Sequence, residues 1–141
     1  LNGIGFNIGG VIAHLGLNIH MVQAEHSSAT GRPVGYIITL EYGFTFYHSG
    51  DTGIFATMAI FSELYDIDVA MLPIGRIFTM DPHQAALACK MLRCRKVAPM
   101  HWGTFPILEQ STDTFAEELD KIAPRTALLN LKPGQSAVLN K

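Results

Sequence analysis

The hydrophobic pattern of this chain changes near residue 53, and that change constrains the fold more than any other feature of the sequence. Before it, apolar residues alternate with other residues at the period of two that a β-strand requires. After it, helical spacings of three and four residues alternate with short apolar runs. A meander followed by strand–helix alternation predicts a layered α/β domain.

The first part of the chain is expected to form an antiparallel meander. Gly16 lies between its first two segments, and the loop of Glu41, Tyr42 and Gly43 lies between its last two. Glycine in such loops supplies the left-handed backbone angles that tight connections need. The strands are predicted over residues 6–15, 18–25, 33–40 and 44–50.

The second part is expected to alternate helices with buried strands. Asp81, Pro82 and Gln84 have the order of a capping box with proline at the first helical position. Helices are predicted over residues 53–65, 80–96 and 112–123. Strands are predicted over residues 68–75, 96–100, 125–131 and 136–140, the last two on either side of a turn at residues 132–134.

Length and composition indicate one domain that buries part of its surface against something else. With 141 residues the chain is long enough for one core and too short for two ordinary domains. Apolar residues make up 48% of it and charged residues only 16%, a low charged share for a soluble domain. The net charge of −2 gives no electrostatic basis for binding nucleic acid or an anionic membrane. No apolar run reaches the roughly 18–20 residues of a membrane span.

The two cysteines favour a reducing compartment. Cys89 and Cys94 lie five residues apart in a predicted helix, which would point them to different faces, and they form no Cys-x-x-Cys motif. We interpret them as ordinary reduced thiols and expect a cytoplasmic location.

Three polar stretches each follow an apolar run directly. His26 follows the second predicted strand, Asp51 follows the fourth, and His101 follows the strand over residues 96–100. Ligands of α/β sheets gather beyond strand ends, and imidazole and carboxylate groups suit Zn, Fe or Mn. The three residues are therefore candidates for one metal site, in which an aspartate can bridge two ions. The alternative for each residue, taken singly, is a polar side chain satisfied by nearby backbone.

Several neighbouring polar residues have two interpretations. His48 can hydrogen-bond a metal ligand, or it can pair with backbone as an ordinary strand histidine. Thr104, like Ser27 and Ser28, can orient a ligand or a substrate oxygen, or it can be an ordinary loop residue.

The remaining histidines have weaker grounds for a functional role. His83 lies in the first turn of a predicted helix, where it either contacts substrate or is solvated. His14 and His20 are expected on strand faces. The sequence contains no Gly-x-Ser-x-Gly motif, which gives no serine a nucleophile-elbow setting.

Four stretches occur in a characteristic order between residue 7 and about residue 115: "AEHSS", "YHSGDTGIF", "LPIG" followed by "FTMDPHQAA", and "PMHWGTFP". Together they resemble the metallo-β-lactamase superfamily. Within it they are similar to bacterial and archaeal metal-dependent hydrolases related to L-ascorbate-6-phosphate lactonase. The segment "MDPHQAA" departs from the Gly-Pro-acidic pattern of that branch.

The resemblance implies a fold and a role for individual residues. The fold is the αβ/βα sandwich of the superfamily, of which residues 1–141 would form one partial domain, the C-terminal portion. His26 would be a metal ligand, Asp51 the carboxylate that bridges two ions, and His101 a ligand of the second ion. Catalysis would depend on Asp51 and His101, and Trp102 replaces a common tyrosine at the pocket rim.

The first ligand motif of the superfamily, His-x-His-x-Asp-His, does not occur in these 141 residues. The resemblance places it upstream of residues 7–10, so a chain that starts at Leu1 is expected to be a fragment with half of a hydrolase site, inactive alone. The complete site would use a metal-activated water, on zinc or alternatively manganese or iron, to cleave a small ester, lactone or phosphodiester. The alternative is a non-catalytic, partner-binding module. In either case we expect association with the missing half or a homo-oligomer.

Overall fold

The computed structural model describes residues 3–132 and 134–141, so Leu1, Asn2 and Pro133, the last of these in the expected turn at residues 132–134, lie outside the described residues. Within them, seven strands form one sheet in chain order, accompanied by three helices. The strands are β1 (Val11–His14), β2 (Leu17–Gln23), β3 (Val34–Thr39), β4 (Thr45–His48), β5 (Val69–Pro73), β6 (Lys96–Met100) and β7 (Ala127–Leu128). The helices are α1 (Met58–Leu64), α2 (Pro82–Leu92) and α3 (Asp113–Ile122).

The sheet changes from antiparallel to parallel pairing at β4. Strands β1 to β4 pair antiparallel, and strands β4 to β7 pair parallel. Each parallel connection contains one helix, and because the strands are added in chain order, right-handed crossovers place all three helices on one face. The predicted architecture, a meander followed by strand–helix alternation, is confirmed.

The helices and one face of the sheet share a single core. Ile37, Tyr47 and Leu72 on the strands are fully buried, together with Met58 of α1 and Phe115 of α3. Small side chains of α2, mainly alanines, let that helix lie close to the sheet. At about 25 cal/mol per Å² of apolar area removed from water, this cluster supplies the main stabilisation of the domain.

Local sequence sets the ends of α2. Asp81 Oδ1 accepts a hydrogen bond from Gln84 N at 2.7 Å, and Gln84 Oε1 accepts one from Asp81 N at 3.2 Å. These two bonds are the predicted capping box. Arg93 ends the helix in a left-handed conformation with φ of 50°.

The first predicted helix is shorter than expected. Residues 53–57 are not helical, and α1 begins at Met58. Gly53 N donates to Glu25 O at 2.8 Å, and this bond holds the stretch against the chain that leaves β2. The helical spacing of Ile54 was therefore misleading.

The last predicted strand is wrong. Residues 136–140 form no strand, and Val138 is 94% exposed. Lys141 Nζ donates to Gly43 O at 2.7 Å, which carries the end of the chain away from β7 and towards the β3–β4 loop. Without a neighbour at the sheet edge, apolar alternation alone does not make a strand.

The second face of the sheet is only partly buried. One row of paired residues across it consists of Met21, Tyr36, His48, Met71 and Ala98, each of them intermediate in exposure. We call this row and its apolar neighbours the open sheet face. The expectation that something covers part of the surface stays a prediction.

The cysteines depart from their predicted placement. Cys94 lies beyond the end of α2, so its thiol is next to Cys89 and not on a different helix face. Both are free and buried, and the hydrogen bond with Cys94, followed by burial, raises the pKa of Cys89. None of the helices in the described ranges has both the length and the apolar character needed to cross a membrane.

Candidate metal centre

Three strands deliver the predicted ligands to the same edge of the sheet. Strands β2 and β4 are both antiparallel to β3 and therefore run in the same direction, and β6 runs parallel to β4 through β5. His26 follows β2, Asp51 follows β4 and His101 follows β6. We call this edge, where the carboxyl ends of these strands meet, the loop edge.

Asp51 and His101 come together at the loop edge. Asp51 Oδ2 lies 3.8 Å from His101 Nε2. This separation is too long for a hydrogen bond, for which about 2.7–3.2 Å is usual. It suits two donors of one ion, because metal–ligand distances of about 2.0–2.2 Å place such donors at most about 4.4 Å apart. The carboxylate is about half exposed and the imidazole less so, at 52% and 24%, which leaves the pair reachable from solvent.

The backbone holds His101 in an uncommon conformation. Its φ is +59°, in the left-handed region that residues with a side chain rarely adopt. Gly75, which follows β5, fits against it: a Cβ added there would lie 2.5 Å from both the Nδ1 and the backbone oxygen of His101. Such strain persists only where the surrounding structure imposes it, and it is concentrated at functional sites.

The other ring nitrogen of His101 is enclosed. Its Nδ1 is buried and has no hydrogen-bond partner among the residues that the structure describes. Nε2, the ring nitrogen that faces Asp51, is therefore the one that is placed to bind a ligand. A neutral imidazole and a carboxylate form a donor set that fits a divalent metal ion.

A buried threonine joins the Asp51 loop to the end of β2. Thr52 Oγ1 accepts a hydrogen bond from Glu25 N at 2.9 Å and donates to Gly53 O at 2.8 Å. Thr52 is fully buried, and its carbonyl accepts from Met80 N at 3.1 Å. These bonds fix the segments on either side of Asp51 and bring the residue before His26 against them.

His26 lies at this edge without completing a three-ligand cluster. Its Nδ1 is 2.7 Å from Ser27 O, and because a carbonyl only accepts, this bond places the proton on Nδ1 and leaves the Nε2 lone pair available. Within residues 3–132 and 134–141, no three His, Cys, Asp or Glu side chains are grouped closely enough to hold one ion. The structure thus pairs Asp51 with His101, and the role of His26 as a ligand stays a prediction.

The other predicted polar residues have separate surroundings. His48 Nδ1 accepts from Gly50 N at 3.1 Å, which supports the turn that leads into Asp51. Thr104 is exposed on the loop after β6. His83 Nδ1 is 2.7 Å from Glu118 Oε2 on α3, and this bond, followed by one from Lys121, lowers the pKa of Glu118.

Two residues of this edge were missed by the sequence interpretation. Thr52 and Gly75 carry no chemistry of their own, but they hold the Asp51 loop and the His101 ring. The available signal was position: each stands where an apolar strand ends, in "GDTG" and "LPIG". Trp102, expected at the pocket rim, donates from Nε1 to Pro99 O at 3.1 Å and packs partly on the core.

Comparison with known proteins gives a family. The family model of the β-lactamase superfamily domain matches residues 2–102. A protein of Nitratidesulfovibrio vulgaris (strain DP4), named UPF0173 metal-dependent hydrolase, is 60% identical over all 141 residues, which correspond to 59% of that protein. The chain thus spans about three fifths of the length of such relatives.

Solved structures agree with the fold. Igni18, described as a novel metallo hydrolase from the hyperthermophilic archaeon Ignicoccus hospitalis KIN4/I, is 42% identical with a TM-score of 0.89, covering 99% of this chain and 61% of that chain. The metallo-β-lactamase fold protein YhfI from Bacillus subtilis is 14% identical with a TM-score of 0.73, covering 90% and 52%, and shows likeness of fold alone.

Proposed function

The chain belongs to the β-lactamase superfamily domain family, and from that premise we propose that it carries part of the metal centre of a metal-dependent hydrolase. The observation that carries the proposal is the approach of Asp51 Oδ2 to His101 Nε2 at 3.8 Å, at the edge where parallel strands end. The relatives named as metal-dependent hydrolases support it.

Each residue of this site has its own proposed role. Asp51 offers two oxygens and would bridge, while His101 and His26 would each bind through Nε2 as neutral imidazoles. A divalent ion held there supplies a water of lowered pKa and a positive charge that polarises the substrate oxygen. Zinc suits this donor set best, and manganese and iron are the alternatives. His48 would steady the turn before Asp51 through the Gly50 amide.

The remaining ligands are proposed to lie outside this chain. Two or three donors leave too few for a pair of catalytic ions, each of which usually has three protein ligands. Because the relatives are longer than this chain, we assign the missing donors to a His-x-His-x-Asp-His motif N-terminal to it. This assignment makes the chain the C-terminal portion of the fold and inactive without the other part.

The open sheet face is proposed to be the contact with that other part. Met21, Tyr36 and Met71 form an apolar surface that is only half-buried, and burying it would stabilise the domain by about 25 cal/mol per Å². A second copy of the chain is the alternative occupant. Sedimentation of residues 1–141 alone should show association at micromolar concentration; a well-folded monomer would contradict this proposal.

The substrate class follows from the chemistry of the centre. Esters, lactones and phosphodiesters are all cleaved by such a centre, and the similarity to L-ascorbate-6-phosphate lactonase relatives is part of the proposal. We assign a small-molecule substrate, with neither nucleic acid nor membrane as partner, and a cytoplasmic location.

The test compares metal content and hydrolysis in variants of the intact gene product. Asp51→Ala, His101→Ala and His26→Ala should each lose bound metal and reduce metal-dependent hydrolysis by at least about 100-fold. His14→Ala is the matched control, because His14 is an exposed histidine of β1. Equal metal content in all five proteins, wild type included, would sink the hydrolase proposal and favour the non-catalytic module.

A further inference from the structure

Two loops at the loop edge carry large apolar side chains in water. Ile77 and Phe78 lie on the loop after β5, and Phe105 and Ile107 lie on the loop after β6. Their exposed fractions are 51%, 57%, 63% and 59%. We call these four side chains the apolar rim. Single exposed apolar residues are ordinary, but four on two adjacent loops indicate a binding surface.

The two loops meet at the candidate metal ligands. The first begins at Gly75, which packs directly against His101, and the second begins at His101 itself. Arg76 NH1 lies 3.8 Å from Glu109 Oε1, which brings the two loops side by side. The far end of the first loop is tied to the Asp51 loop by the Met80 N–H bond to Thr52 O, at 3.1 Å.

Backbone hydrogen bonds hold the first loop in shape. Arg76 N donates to Met80 O at 2.9 Å, and Ile77 N donates to Gly75 O at 3.0 Å. Arg76 itself has φ of +77°, a conformation that side-chain-bearing residues rarely adopt. This loop therefore presents Ile77 and Phe78 to solvent in a fixed arrangement.

The second loop is held in the same way. Gly103 N donates to Glu109 O at 2.8 Å, and Leu108 N donates to Phe105 O at 3.0 Å. The Gln110 side-chain amide donates to Phe105 O at 2.7 Å and to Leu108 O at 2.8 Å. Loops built on a rigid scaffold in this way are typical of recognition surfaces.

The charged residues at the loop edge favour neutral esters and lactones over phosphodiesters as substrates. The loops after β2, β4, β5 and β6 carry two arginines, Arg32 and Arg76, and the second of these faces Glu109. Apart from Asp51, which is assigned to the metal, they carry three carboxylates, at Glu25, Asp81 and Glu109. An excess of carboxylates gives little attraction for a phosphodiester away from the metal, whereas a neutral ester or lactone is not repelled.

From this arrangement we infer that the site takes carboxylic esters or lactones with an apolar acyl chain or ring, which lies on the apolar rim. The inference rests on the proposed function and names its substrate class. In the hydrolysis, the water oxygen forms the new bond to the acyl carbon, the bond to the alcohol oxygen breaks, and the proton of the water ends on that oxygen. The open sheet face is a separate surface and remains the place for further polypeptide.

The first experiment measures selectivity for acyl length in the metal-loaded intact gene product. The ratio of kcat/KM for 4-nitrophenyl hexanoate to that for 4-nitrophenyl acetate should be about 10 in the wild type, because the hexanoyl group has four more methylenes and each, partly buried, contributes about 1.8-fold. The double variant Phe78→Ser, Phe105→Ser should bring the ratio to about 1–2. Phe78→Leu, Phe105→Leu should keep most of it.

The matched control is Leu15→Ser, Leu64→Ser. Both leucines are exposed, at 86% and 65%, and both lie at the opposite edge of the sheet. This variant should retain the wild-type ratio. A wild-type ratio near 1, or an equal ratio in the rim variant and the wild type, would overturn the inference.

A binding measurement separates failure of the rim from failure of the hydrolase. Hexanohydroxamic acid should bind the wild type about 10-fold more tightly than acetohydroxamic acid by titration calorimetry, and the serine variant should lose that preference. If no ester is hydrolysed but the preference is present and rim-dependent, the rim stands and the hydrolase proposal fails. If the two hydroxamic acids bind with equal affinity, or if neither binds, the inference about the apolar rim is wrong, whatever the hydrolysis measurements show.

Discussion

The core under the three helices and the loop edge differ in how completely their groups are satisfied. In the core, Ile37, Leu72 and Phe115 are fully buried in ordinary strand and helix conformations. At the loop edge, His101 and Arg76 have positive φ, and His101 Nδ1 is buried without a partner among the described residues. The core therefore stabilises the chain, whereas the loop edge keeps unfavourable local geometry, as expected where a structure serves a function.

The largest expected effect is a difference in the free energy of unfolding between variants of the core and variants of the loop edge. Phe115→Ala removes a fully buried ring from α3 and should lower the free energy of unfolding of the intact gene product by about 3–5 kcal/mol. Phe105→Ala, the same change at a 63% exposed position of the loop edge, should alter it by no more than about 0.5 kcal/mol. Urea unfolding measures both. Similar losses for the two variants would break the comparison.

The next effect appears in metal affinity. Gly75→Ala places a Cβ 2.5 Å from His101 Nδ1 and O, so the imidazole must move, and metal affinity should fall about 10–100-fold. Gly53→Ala is the control, because its Cβ would meet nothing closer than Glu25 O at 3.7 Å and its φ is not positive. Competition with a chelator gives the affinities. Unchanged affinity in Gly75→Ala would show that the close approach does not position His101.

The smallest effect concerns an exception inside the core. The Tyr47 hydroxyl is buried without a hydrogen-bond partner in the described part of the chain, and burial raises the pKa of this group. Tyr47→Phe removes the unsatisfied group and keeps the ring contact with Phe61, whose centroid is 5.8 Å away. We expect a change between zero and about 1 kcal/mol in favour of folding. A loss of more than about 1 kcal/mol in urea unfolding would mean that the hydroxyl has a partner after all.

Local signals were sufficient for much of the fold. The capping box at Asp81 and Gln84 depends on residues three apart, and the sequence predicts it correctly. The start of α1 depends on the hydrogen bond between Gly53 and Glu25, which are far apart along the chain. The spacing of apolar residues over 53–57 is a local pattern and cannot reveal such a long-range contact. The strand expected at residues 136–140 was wrong because strand formation needs a neighbour that the sequence does not specify.

The candidate site divides in the same way. The proximity of Asp51 and His101 was predictable because both follow apolar strands, and parallel strands end at one edge; their role as metal ligands stays a prediction. Thr52 and Gly75 were not predictable, because their roles depend on contacts with Glu25 and His101, which are distant in sequence. The position of His26 after β2 correctly predicted that it lies at this edge. Among the described residues, however, His26 is not part of a group of three possible metal ligands.

The central claim is that Asp51 and His101 hold a metal ion together. The direct measurement is anomalous diffraction at the zinc edge from crystals of the intact gene product grown with zinc. We predict a peak within about 2.0–2.2 Å of both Asp51 Oδ2 and His101 Nε2. A zinc peak elsewhere in the molecule, or none, with these two side chains in place, would contradict the account.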